Sequence, residues 1–578
     1  MLAGVALLTG CIKDKYSPDA SCPMAQGEDG YYLSFVLSSQ QESTKADAGS
    51  PNIGLLQEQL VKTVDVYFYK ADGTFLDMKS PLPVVQDIST IPTDPISSVV
   101  GEFVVRLDKV PEKMLVALNI EAKFPFKSIS EARSAMQEAS IAYQGAETQI
   151  KNGGTTYTVK PFYMASTTYE EGGEVICETP IPAGSVKLSR EEALLSPLEL
   201  YAERLAAKVQ LSAPETKFMV PAVTQYEGIT TQVELLGWGL NAINTKTFWF
   251  KNIDPSWSFS WTGIGWSEPL RHRSHWSKDP NYDGGIYPKN YKELDPAKSD
   301  LCYVPWNSLD KGFTGGIAYC LENTADGSIL STDRADNQLY PRTTHVLVKA
   351  RLSFGYGAGK TASDDVAGYV TEADYYRYKG VFYTRNNIFD AILNEEQFAG
   401  KTYYKDAAHT VKADASCLGL VEDFGEKLYV HPLVTLYDAL GNVVDPAYFN
   451  KITVDGFRNG YFYYKIPIEH LTKAPATPGP TYETAQYGVV RNHCYNITLP
   501  KDITGIGTGV WSVTEPIVPV TKEEDYMVSV YVSVSPWKQF ENRFIFIDPS
   551  GMLVTNGQIV KEWKDDKNSE GIDNGWYF

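Results

Sequence analysis

The residues best placed to do chemistry stand in the first fifty positions of the chain. Leu8-Thr9-Gly10-Cys11 follows a short apolar run that begins at Met1. Small residues ahead of a cysteine are what a bacterial lipoprotein signal requires: the thiol accepts the lipid, the preceding peptide is removed, and the mature chain begins at an acylated Cys11. As a helix the run is too short to span a bilayer, which takes roughly 20 apolar residues. The basic stretch that ordinarily precedes such a run is missing, so the expected start lies upstream of Met1. Lys45 is the second reactive position. It is the single basic residue of the polar loop from Ser39 to Pro51, a composition open to a protease that cuts after lysine and leaves Ala46 as the new N-terminus.

Other constellations fall short of a chemistry. His272 and His275 are three apart in Arg-His-Arg-Ser-His, where two arginines repel a divalent cation and no third ligand stands nearby. Gly355-Tyr-Gly-Ala-Gly359-Lys360-Thr361 imitates a phosphate loop, but Phe354 occupies the place of its first glycine. Cys22, Cys177, Cys302, Cys320, Cys417 and Cys494 are widely scattered and form no close Cys-x-x-Cys or Cys-x-x-His pair, so export permits disulfides and the spacing argues against zinc. No Gly-x-Ser-x-Gly elbow or His-Glu-x-x-His is present, and the 71 carboxylates are too dispersed to single out a glycosidase pair. No nucleophile or general base is nominated, so neither an enzyme, a cofactor nor a metal site is expected. A net charge of -19 without a basic patch argues against nucleic acid as a partner.

The elements that must position the two reactive residues are strands. With 37 tyrosines, 33 prolines and 45 glycines in 578 residues, the chain reads as all-β. A Ser/Pro/Gly/Asp-rich tether over residues 12–29 leads to Tyr31, Leu33, Phe35 and Leu37, which alternate on one face of a half-buried strand. Val64 to Tyr69 forms a second strand, Lys70-Ala-Asp72-Gly73 a turn, and Phe75-Leu76 the return. Strands follow at Phe103 to Leu107, Met114 to Leu118 and Tyr157 to Met164. A capping box at Ser128-Ile-Ser-Glu131 predicts a helix over Ala132 to Glu138. The boundary between two large domains is expected near 195 to 215, giving 30–205 and 206–547, with 548–578 as an extension.

In the second part, Trp249, Trp257, Trp261, Trp266 and Trp276 form an aromatic stretch that reads either as a sugar-stacking platform or as packing. A helical patch is expected around Asn394 to Phe398. The strongest pattern comes late: Tyr526, Val528, Val530, Val532 and Val534 alternate with Met527, Ser529, Tyr531, Ser533 and Ser535, ending at Trp537. Burying four such valines is worth roughly 6 to 12 kcal/mol gross, enough to hold one subunit to another. An ordinary last strand in its own sheet would show the same pattern.

The lipobox, first strand, cutting loop and second strand, with Arg204-Leu-Ala-Ala-Lys208-Val, resemble the N-terminal half of the fimbrillins, the type V pilin subunits of Bacteroidales. Gly237-Trp238 with Leu240-Asn241, Tyr319 with Glu322-Asn323-Thr324, Arg491-Asn492-His493 and the strand ending at Trp537 resemble the C-terminal half of the minor-fimbrillin shaft type. The resemblance implies two β-sandwich domains of transthyretin-like Greek-key form with few short helices. It implies export to the outer membrane as a lipoprotein, removal of the first strand (Tyr31, Leu33, Phe35, Leu37) by a trypsin-like protease, and polymerisation when a neighbour's donor strand (Val528, Val530, Val532, Val534, Trp537) fills the vacated groove. The partners implied are other copies or related fimbrial subunits, with a host or bacterial surface ligand for adhesion. In the family the cut follows arginine, where this loop has Lys45; and residues 548–578 follow the donor strand, as an extended donor, a hairpin or the mark of an accessory subunit. An anchor or tip subunit, a glycan-binding surface lipoprotein and, further off, a secreted glycosidase are the rival readings.

Overall fold

Period-two alternation interrupted by proline and glycine folds here into sheets packed face to face. The computed structural model describes residues 30–37, 55, 58, 60–86, 101–120, 126–138, 144–145, 147–152, 155–166, 169–171, 174–200, 202–220, 223–224, 229–252, 277–282, 300–324, 343–356, 374–423, 427–468, 470, 488–501, 503, 505–518, 531–536, 544–547, 553–554, 562–563 and 576–577. The N-terminal part contributes β1 (Tyr31–Leu37), β2 (Thr63–Tyr69), β3 (Phe75–Gln86), β4 (Gly101–Leu107), β5 (Lys113–Leu118), β6 (Met164–Ser166), β7 (Leu198–Leu200) and β8 (Ala202–Arg204). One sheet runs β8-β6-β5-β2-β3, and a second runs β7-β1-β4. Their facing side chains, among them Val64, Val66 and Phe68 of β2, Val116 of β5, Leu33 and Phe35 of β1, and Phe103 and Val105 of β4, form one buried core. The turn from β2 to β3 closes through Lys70 N to Thr74 O at 3.0 Å, with Gly73 in the left-handed region at φ 79°.

Local signals are overridden where strand pairing competes. The serine half of the capping box forms, Ser128 Oγ accepting from Glu131 N at 3.1 Å, while Glu131 Oε2 accepts from Lys127 N at 2.8 Å instead of the Ser128 amide, and the helix α1 (Ile129–Ser134) stops at an extended Ala135. Met136–Glu138 then pairs with Lys246–Phe248 as a strand. The stretch Tyr157 to Met164 is two strands, because Pro161 has no amide to give to a ladder and separates Thr155–Val159 from β6.

The chain changes sheets at Leu205: β8 pairs with β6, whereas β9 (Ala206–Ser212) enters a sheet with later strands. That part adds β10 (Ile229–Asn241), β11 (Ile317–Leu321), β12 (His345–Tyr356), β13 (Tyr461–Pro467), β14 (His493–Thr498) and β15 (Tyr531–Pro536). The sheet β11-β9-β14-β15 faces the sheet containing β10-β12-β13 across a second core that includes Val209, Ile497, Val348 and Phe462. A further sheet, whose strands lie in sequence between β12 and β13 except for Val223–Thr224 at one edge, carries the helix α2 (Arg385–Phe398) and its own core around Ile388, Ile392, Val430 and Phe449. This helix is longer than the expected patch because Ile388, Phe389 and Ile392 already hold its first turns against that core.

Residues 206–547 were expected to belong together, yet β16 (Phe544–Ile547) pairs with β3: Val84 lies opposite Phe546, and Gln86 opposite Phe544. β16 then forms a hairpin with Leu553–Val554. Among the described residues no helix is long and apolar enough to cross a membrane.

Candidate functional site: the seat of the first strand and the junction behind it

β1 occupies the middle of its sheet. It runs antiparallel to β4 over its whole length, from Tyr31 opposite Leu107 to Leu37 opposite Gly101. On its other edge it runs parallel to β7, Phe35 to Leu37 lying opposite Leu198 to Leu200. Tyr32 also exchanges two main-chain hydrogen bonds of 2.8 Å with Lys187. Leu33 and Phe35 are fully buried, and the Phe35 ring stacks on Phe103 with centroids 4.6 Å apart at 23°. Alternation predicts a strand covered on one face, but Ser34 on the opposite face is equally buried. The helical turn Arg190–Leu194 packs against β1 and contributes to that cover.

Of the other residues singled out by sequence, Cys11, Lys45, Ala46, Val528, Val530 and Trp537 lie outside the described residues. Val532 and Val534 stand in β15, antiparallel to β14 at the edge of the chain's own second sandwich, opposite Ile497 and Tyr495. Trp249 is core, 1% exposed and packed near Tyr163, while Trp257, Trp261, Trp266 and Trp276 lie outside the described residues.

Behind the groove the short motifs converge on a buried polar junction, which their separation in sequence conceals. Arg491 is fully buried; its Nε donates to Glu322 Oε2 at 3.2 Å, Nη1 to Trp249 O at 3.2 Å, and Nη2 to Thr247 Oγ1 at 3.0 Å and Phe248 O at 2.8 Å. Trp249 N in turn donates to Ala135 O at 3.0 Å, so this guanidinium holds a segment that lies on the outer face of the first sandwich. Arg204 Nη1 reaches Asn492 Oδ1 at 3.2 Å. Lys251 Nζ sits 3.3 Å from Glu203, both wholly buried. Burial pushes the Glu203 carboxyl up, against the pull of Lys251 and Arg491, and pushes the Lys251 ammonium down. His493, its Nδ1 2.7 Å from Arg491 O, is held well below its ordinary value by burial, with His470 and Lys251 adding to it.

Trp238 anchors the other side of the second sandwich, its Nε1 donating to Gly312 O at 2.8 Å. Gly237 beside it is required by close approach, since a Cβ there would stand 2.6 Å from Leu309 O. Asn241 ties three segments, donating to Ile517 O at 2.9 Å, accepting from Val304 N at 2.9 Å and lying 3.2 Å from His345 Nε2. Glu58, Glu203 and Lys251 belong to the junction but carry no local pattern that sequence could have read.

Sheet stacked on sheet with few short helices defines an all-β protein. Residues 455–543 match the family model described as major fimbrial subunit protein type IV, fimbrillin, C-terminal. The chain matches that model across β13, β14 and β15. No curated protein sequence matches it. It is similar to a fimbrilin (fimA) of Porphyromonas gingivalis W83 at 13% identity, covering 88% of this chain and 98% of that one with a TM-score of 0.34. It is similar to a candidate cell adhesion protein of Parabacteroides distasonis at 12% identity, with 88% and 97% covered and a TM-score of 0.35. The tip fimbrial protein Mfa3 of P. gingivalis aligns at 12% identity, with 88% and 100% covered and a TM-score of 0.29. Whole-chain overlap at these scores is loose.

Proposed function

We propose that the chain is a structural subunit of a cell-surface fimbrium, exported to the outer membrane as a lipoprotein through Cys11 and assembled by strand exchange. A trypsin-like protease cuts after Lys45, β1 leaves its seat, and a C-terminal strand of a neighbouring copy or related subunit takes its place. The fibre then presents the chain for adhesion to a host or bacterial surface ligand.

The seat of β1 carries this reading. A strand that enters from a polar tether and leaves into a polar loop can be withdrawn once the loop is cut, without breaking the connection of any other strand. Its departure leaves main-chain donors and acceptors of β4 on one side and of Lys187 and β7 on the other, above an apolar floor. Such a slot is met by an extended segment with an apolar face at period two, as in residues 526–537.

An accessory or tip subunit is favoured by a different observation: β16 pairs with β3 of the same chain, so residues beyond the patterned strand are already engaged within one molecule. Mass spectrometry of protein recovered from high-mass polymer tests removal of the first strand. Ala46 at the N-terminus is the expected result; an acylated Cys11 start in polymer would refute removal of the first strand and assign an uncut anchor-type subunit.

A further inference from the structure

The chain that leaves the expected cutting loop is fastened before it enters β2. Glu58 is fully buried. Its carboxylate accepts from Lys208 Nζ, at 3.1 Å to Oε1 and 3.2 Å to Oε2, from the Tyr319 hydroxyl, and from Leu55 N at 2.7 Å. Its carbonyl accepts from Arg204 Nε at 2.7 Å. The next residues are held by Asn119, whose Nδ2 donates to Leu60 O at 2.8 Å and whose Oδ1 accepts from Lys62 N at 2.7 Å. Lys208 stands in β9 and Tyr319 in β11, so the fastening is to the second sandwich, across a sequence separation of 150 and 261 residues.

We infer that Glu58 is a positioning residue for strand exchange: it is the post at which the cut end is fixed, so that β1 departs while the chain from residue 58 onward stays in place. The inference rests on the reading that the chain is cut in the preceding loop. Chain ends are where local opening begins, and a cut at residue 45 turns an internal loop into an end. Val61 and Tyr319 share the apolar core that Leu33 and Phe35 cover, and Tyr319 packs edge-on against Phe162 at 4.9 Å. Fraying past residue 58 would therefore take away the floor of the groove that an incoming strand must find.

The test inserts a sequence-specific protease site after Lys45 and compares amide hydrogen exchange over residues 58–69 in intact and cut protein. In the unsubstituted chain cutting leaves exchange there unchanged. Losing a hydrogen bond to a charged group shifts a local opening equilibrium by roughly 10- to 100-fold. Once both are cut, Glu58→Gln should therefore exchange at least ten times faster than the unsubstituted chain, and faster than its own intact form. Tyr319→Phe, which keeps the ring on Phe162 and removes one donor, should shift in the same direction by less, and carries the test if Glu58→Gln does not fold. Faster exchange on cutting the unsubstituted chain, or a cut-to-intact ratio in both variants equal to its own, would overturn the assignment. The readout needs no polymer: a protected segment in cut protein that never polymerises supports the post and defeats strand exchange.

Discussion

If β1 is a replaceable filling, its hold on the cut protein is set by a few side chains, and Phe35 is the largest of those that are fully buried. It is fully buried, stacked on Phe103, and in the middle of a strand paired on both edges. Truncating a buried phenylalanine costs about 3–5 kcal/mol, which includes the lost transfer of the ring and the cavity left behind. The ring pair accounts for about 0.5–1.5 kcal/mol of that. Converted at about 1.4 kcal/mol per decade, Phe35→Ala weakens retention by roughly 10²- to 10³-fold or more. The assay is fluorescence anisotropy with labelled peptides of residues 30–37, with and without the substitution, titrated onto cut protein from which β1 has been removed. The receiving protein is identical in both titrations, so the ratio of Kd values isolates the side chain. Binding of the two peptides within a factor of three would refute the argument, because it would mean that the groove closes or rearranges once β1 has gone.

Arg491→Met should destabilise the protein by about 3–5 kcal/mol in chemical denaturation, because Glu322 and the carbonyls of Phe248 and Trp249 stay buried without their donor. Arg491→Lys should recover little of it, since one ammonium cannot reproduce a planar fork of donors. His345 and His493 are both buried with values far below 6.5, so the folded state holds them neutral while the unfolded chain takes up protons. Their contribution is fully present above about pH 6.5 and is lost as pH falls below it. Tm measured from pH 7.5 to 5.5 should drop, and His345→Asn, which places an amide donor near the Nδ1 position 2.7 Å from Thr343 O, should flatten that drop.

What could be read from the sequence was whatever depends on neighbours along the chain. The alternation of Tyr31, Leu33 and Phe35 marks β1, and Lys70 to Gly73 marks a turn, because period and turn chemistry are local. Burial of Ser34 could not be read, since it depends on cover by elements more than a hundred residues away. The helix predicted to Glu138 ends at Ser134 for the same reason: the strand Lys246–Phe248 claims Met136 to Glu138. Arg204, Glu322 and Arg491 stood out as parts of short motifs, yet their shared role required the fold to bring residues 204, 322 and 491 together. Glu58 lies in an unpatterned stretch, and its partners Lys208 and Tyr319 are found only in three dimensions.

The junction also explains why charge is spent where apolar packing would stabilise as well. A buried ion pair is often no more stable than hydrophobic residues of the same volume, because removing both charges from water costs several kcal/mol per ion. Geometry is what the charges supply. Arg491 offers donors in a fixed plane to Glu322, Thr247, Phe248 and Trp249, and only one placement of the 247–249 segment satisfies them together. Glu58 likewise accepts from donors on the loop, β9 and β11 at once. A slipped apolar interface loses little, whereas a slip here strands several buried polar groups, each at about 1–3 kcal/mol. In the proposed fibre, where one subunit's geometry is repeated at every step, a junction that penalises slippage sets the same path from groove to donor strand in each copy.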